Sequence, residues 1–185
     1  MIQPWQRLQR QLTGDFRIFN LFTDTSRSPV TGNEHRFYVL STGDWVNVIP
    51  LTPDNQVVMV RQFRHGVEQV TLEIPGGMVD KDDGDAAAAA HRELSEETGY
   101  QAEEYISIGK VASNPAILDN YTHTYLAKNV RLVGEQHLDG TEDIMIELVP
   151  LADIPEMIRR GRITHALVVA GFYHLENYLR HLSGQ

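Results

Sequence analysis

Short apolar blocks separated by turn-forming clusters fill the first half of the chain, and helical patterns enter later. Residues 16–22 are apolar and β-prone, and residues 26–34, with Pro29 and Gly32, read as a loop. Residues 36–41 and 45–51 read as strands. Thr52-Pro53-Asp54-Asn55 turns the chain into a further strand over 56–63, so the last two are expected to pair as a hairpin. Residues 71–74 read as a strand running into a Gly76-Gly77 turn. Residues 105–111, 122–127 and 144–149 are also predicted strands. A short helix is predicted from Asp153-Ile154-Pro155 to Gly161, with proline in its first turn. A longer one runs over 164–182, its core stripe carrying Leu167, Ala170, Gly171, His174, Leu175 and Tyr178. The sum is a mixed sheet flanked by helices, an α/β fold.

Between the strands lies one more helix, and it changes the picture. Asp85 suits an N-cap, Ala86 to Ala90 have the highest helix propensity, and Gly99 is placed to stop the helix in a left-handed turn. Within it Arg92-Glu93-Leu94-Ser95-Glu96-Glu97 puts three glutamates at i, i+3 and i+4, on one face. Like charges at that spacing cost an isolated helix a few tenths of a kcal/mol per pair. A cation would relieve the repulsion, and Mg2+, with its preference for carboxylate and phosphate oxygens, is the natural one. Arg92, one turn before Glu96, is placed to hold a carboxylate.

Composition narrows the function classes. At 185 residues with 42% hydrophobic content, the chain has the size and make-up of one ordinary soluble domain. A net charge of −9 argues against nucleic acid as partner, since a binder needs a basic face. No cysteine is present, which suits the cytoplasm and excludes a thiol nucleophile. No apolar run reaches the roughly 20 residues that span a bilayer, so no membrane association is expected, and residues 1–6 lack a signal-peptide pattern. Gly109-Lys110 has none of the other residues of a P-loop, and the eight histidines show no paired zinc-site spacing.

The segment from Gly77 to Tyr100 resembles the Nudix box, whose second half is Arg-Glu-aliphatic-x-Glu-Glu-x-Gly-hydrophobic. Arg92 to Tyr100 match that half at every specified position. The first half departs. The expected glutamate falls on Gly84, between Asp83 and Asp85, and Gly77 fits only with one inserted residue. The resemblance implies an α/β/α sandwich with a mixed sheet, and an Mg2+-dependent diphosphatase, with Mn2+ as a substitute. It implies metal ligation by Glu93, Glu96 and Glu97 and the carbonyl of Gly76, with Arg92 and Glu96 among the catalytic groups. Arg61-Gln62-Phe63-Arg64 and Glu73-Ile74-Pro75-Gly76-Gly77 are similar to the ADP-ribose and nucleoside-diphosphate-sugar branch. There Arg64 would bind substrate phosphate; its other reading is a structural ion pair. In the loop Asp139-Gly140-Thr141-Glu142-Asp143, Glu142 is the expected proton acceptor, ahead of Asp143. A Nudix-like binding domain without turnover is the rival. Trp45, Phe37 and Tyr121 could stack a base, though sheet packing suits each better. Residues 1–44 would form a β-rich arm joining two copies into a homodimer, and 45–185 the hydrolase domain.

Overall fold

The computed structural model describes residues 1–184. They form two compact units: residues 1–43 with 112–121, and residues 44–111 with 122–184.

The first unit is built on an antiparallel three-stranded sheet, β1 (Gln6–Phe16), β2 (Phe19–Arg27) and β3 (Glu34–Ser41). The strand expected over 16–22 is thus two strands meeting at a tight turn, Phe16 opposite Phe19. β1 escaped the sequence reading because it is polar and almost wholly exposed. Its buried anchor is Asp24, which accepts from Arg10 Nε and Nη2 at 2.8 and 3.0 Å. These bonds hold the Asp24 carboxyl below the ordinary range. Segment 112–121 joins this unit through a parallel bridge between Leu40 and Leu118. Trp5 packs edge-on against Phe37.

The second unit holds a seven-stranded mixed sheet, with β4 (Trp45–Leu51), β5 (Gln56–Arg64), β6 (Gln69–Glu73), β7 (Gly76–Met78), β9 (Glu104–Ala112), β10 (Tyr121–Lys128) and β12 (Met145–Pro150). The main path runs β12-β5-β4-β10-β9, with β10 parallel to β4. β8 (Tyr100–Gln101) and β11 (Arg131–Leu132) form a small separate ribbon. The expected hairpin of β4 and β5 pairs only at Leu51 and Val57. Beyond that point β6 takes the open edge of β5 and β7 that of β4, both antiparallel, so the chain reverses at Ile74–Pro75. Gly76 and Gly77 therefore lie in a short strand after the turn.

Helix α1 (Ala86–Thr98) covers one face of this sheet and α2 (Ile154–Arg159) and α3 (Ala166–Ser183) the other. On the α1 side, Ala89, Ala90 and Leu94 pack with Val46, Val48, Val58 and Ala127. The small alanines let the helix sit close to the strands. Opposite, Ile49, Val57, Met59, Leu72 and Leu126 meet Val168, Phe172 and Leu175 of α3. On α3, Gly171 and Leu175 are buried as expected, but the stripe is completed by Val168 and Phe172, while Leu167, Ala170, His174 and Tyr178 are half-buried. Among the described residues no helix is long and apolar enough to cross a membrane.

Candidate active site

The acidic helix is fixed at both ends. Asp85 accepts from Ala88 N at 2.8 Å, and Gly99, at φ 70°, donates to Ser95 O. With Ala89, Ala90 and Leu94 against the sheet, the glutamates become unequal. Glu93 and Glu97 are 8% and 3% exposed, whereas the Glu96 side chain is 43% exposed. Glu97 Oε2 accepts from Gly76 N at 3.0 Å. A Cβ on Gly77 would collide with the Glu93 carboxylate, so glycine lets that carboxylate rest against β7. The glycine pair is a seat for the glutamates.

Arg92 ties the cluster together. Its Nη1 donates to Glu93 Oε1 at 2.9 Å and Glu96 Oε2 at 3.0 Å. Nε and Nη2 form a fork on Asp83 at 2.8 and 2.9 Å, and Nη2 also reaches Met78 O at 3.0 Å. Asp83 thus supplies a carboxylate to Arg92 next to Gly84, where the box pattern expects a glutamate. Gly84 itself takes a left-handed turn at φ 79°.

The two buried glutamates are short of positive charge. Burial pushes Glu93 up to about 7; the charge and hydrogen bond of Arg92 oppose this, and Glu96 and Glu142 add to it. Burial likewise pushes Glu97 up to about 8, against the Gly76 N–H, with Glu93 and Glu142 again adding. Buried carboxylates of this kind suit a hard divalent cation, whose charge would offset what burial costs their ionised form. Among the described residues no three His, Asp or Glu side chains converge in ligand geometry. Arg92 engages Glu93 and Glu96, and Gly76 engages Glu97 through its N–H.

Glu142 stands on the exposed loop between β11 and β12, its Oε2 accepting from Asp139 N at 3.1 Å. Its charge acts on Glu93, Glu97 and Arg64, so the loop lies within electrostatic reach of the helix cluster. Asp143 is exposed beside it. Trp45 is half-buried in β4, while Phe37 and Tyr121 are exposed in the first unit.

Arg64 is held by a partner that sequence reading did not supply. Its Nε and Nη2 donate to the two oxygens of Glu73 at 2.8 Å each. Glu73 is 2% exposed and also accepts from Thr71 Oγ1 at 2.6 Å. Burial works to raise the Glu73 carboxyl, but the Arg64 and Thr71 hydrogen bonds and the charges of Arg64 and His165 leave it below the ordinary value. The signal was available: a lone charge in an apolar strand demands a partner. Arg64→Ala should strand this carboxylate and destabilise the fold in urea denaturation. A fully buried pair would lose about 3–5 kcal/mol; with the Arg64 side chain 41% exposed, about 2 kcal/mol is expected.

The family description NUDIX domain matches residues 42–171, well over half of the chain. The chain belongs to the Nudix family. This Nudix chain is 31% identical over 170 residues to a methanol dehydrogenase activator of Bacillus methanolicus, spanning 89% of this chain and 90% of that protein. It is 26% identical over 161 residues to an ADP-ribose pyrophosphatase of Bacillus subtilis, spanning 86% of each. Its fold matches the crystal structure of an ADP compounds hydrolase with a TM-score of 0.86, covering 98% of this chain and 97% of that one at 19% identity. The α/β sandwich is therefore a Nudix fold, and the glutamate-bearing helix is its box.

Proposed function

We propose that this Nudix protein hydrolyses the diphosphate linkage of ADP-ribose or a related nucleoside diphosphate sugar, giving a nucleoside monophosphate and a sugar phosphate. One observation carries the reading: two buried carboxylates on one helix face, Glu93 and Glu97, lie against β7 with the charge of Glu142 in reach. Likeness to ADP-ribose pyrophosphatases supports the substrate class. Glu93, Glu96 and Glu97 with the Gly76 carbonyl would hold Mg2+ or Mn2+. A cation held there would neutralise the diphosphate oxygens and lower the pKa of an attacking water. Arg92 keeps Glu93 and Glu96 from splaying. Arg64, steadied by Glu73, offers a substrate phosphate the part of its fork outside that pair, Nη1. Glu142 receives the proton of the attacking water.

The substrate class is tested with Mg2+ and a panel of ADP-ribose, GDP-mannose, UDP-glucose, NADH, dinucleoside polyphosphates and nucleoside triphosphates. Turnover should rank a nucleotide sugar first. Triphosphates cleaved far faster than any nucleotide sugar would contradict the class.

The first unit is read as the arm of a homodimer. Leu8, Leu12, Phe16, Ile18 and Phe37 are exposed on its three strands and connecting turn, apolar side chains that a second copy would cover. Sedimentation velocity at micromolar concentration should give twice the 21.0 kDa of one chain. A single-chain mass would count decisively against the arm.

A further inference from the structure

The last carbonyls of an α-helix have no partners within it. In α1 the acidic loop supplies two of the missing donors. His137 N donates to Glu96 O at 2.8 Å, and Gln136 Nε2 to Glu97 O at 2.6 Å. Val133 N and Gly134 N bond Gly99 O at 3.0 and 3.3 Å, continuing the seam. Gln136 has a second bond, from Nε2 to Ile144 O at 3.2 Å, eight residues ahead. One side-chain amide therefore joins three segments: the end of the glutamate helix, the outgoing limb of the loop, and its return into β12. Residues 131–135 and 137 are exposed, yet Gln136 is half-buried.

The tip of the loop organises itself. Asp139 Oδ1 accepts from Thr141 N and Oγ1, each at 2.6 Å, and Asp139 N donates to Glu142 Oε2. These bonds shape the tip but do not fix it to the rest of the unit. Its placement is set at the neck, where Ile144 is buried and Gln136 clasps it to the carbonyl of Glu97.

We propose that Gln136 is a positioning residue that sets where Glu142 stands relative to Glu93 and Glu97. This rests on the reading of Glu142 as proton acceptor. Gln136 touches neither substrate nor metal in the scheme; it acts through the neck of the loop. Misplacing a reacting group by about 1 Å costs on the order of 10²-fold in rate, and a loosened neck should cost part of that.

The experiment uses the full chain with saturating Mg2+ and ADP-ribose. Gln136→Met keeps the length and removes the donors; Gln136→Glu does the same with a polar group. Both should lower kcat by about 10- to 100-fold, leave KM within about twofold, and speed amide exchange across residues 138–143. In a Glu142→Gln background neither should lower kcat further, since the group being positioned is gone. An undiminished kcat, an equal loss in that background, or unchanged exchange in the loop would each overturn the proposal. Glu142→Gln alone tests the reading beneath it: near-parental turnover there, with faster loop exchange in Gln136→Met, would remove the proton acceptor and leave Gln136 as an anchor without a catalytic client, which also overturns the proposal.

Discussion

Glu97→Gln should abolish most turnover while leaving the fold intact, and should make the metal-free protein more stable at high pH. Glu97 is the most deeply buried of the three glutamates and is seated on Gly76 N. As a proposed metal ligand, Glu97 should hold the cation less well once its charge is removed. A catalytic metal contributes several kcal/mol of charge stabilisation, so a rate loss on the order of 10³-fold is expected at limiting metal, partly recovered by excess Mg2+. The stability effect has a definite sign. Without metal the folded-state values of about 7 for Glu93 and about 8 for Glu97 lie above the ordinary 4.5. The folded protein therefore retains protons that the unfolded chain has released. The stability this gives is fully present below about pH 4.5 and is lost as pH rises through 7 to 8. Glutamine does not titrate, so metal-free Glu97→Gln should gain on the order of a few kcal/mol over the parent at pH 8, shrinking toward pH 5. Asp24, Glu73 and Asp83 are shifted the opposite way. Their contributions are lost only as pH falls below the ordinary carboxylate range, a separate window. Thermal melts in chelator across pH 5–8 check this; a parent and variant that track each other would contradict it.

Glu142→Gln should lower kcat by about 10²–10⁴-fold, the usual cost of losing a general base, and the defect should persist at saturating metal. Glu142 is exposed and its hydrogen bond is confined to its own loop, so folding and KM should change little. Rate against Mg2+ concentration separates the two roles: a defect rescued by metal marks a ligand, and one that survives saturation marks the proton acceptor. Near-parental turnover would move the acceptor to Asp143 or Glu96.

Where local chemistry decides the outcome, the sequence was legible. Asp85, the alanines and Gly99 specify α1 within one residue of each end, and β4 spans the residues its apolar run predicts. The i, i+3, i+4 spacing placed three glutamates on one face. It could not reveal that two are buried and one half-exposed, because that depends on how the helix rolls against Val46 and Val48. Partners distant in sequence were equally hidden. Arg64 meets Glu73 because β6 folds back on β5, and Gln136 meets Glu97 because the loop caps the helix. β1 was missed for a different reason: nearly every side chain is exposed, so no alternation marks it, and it is held by pairing with β2 and by the Arg10–Asp24 fork.

The surface around Glu93 and Glu97 is proposed to be a metal-dependent diphosphatase site and more than a binding surface. Its most direct test is the release of AMP from ADP-ribose by the full chain, followed chromatographically with Mg2+ and with chelator. AMP and a ribose phosphate should form in equal amounts with Mg2+, and neither should form with chelator. Saturable binding of ADP-ribose with Mg2+ present and no AMP formed would contradict the proposal.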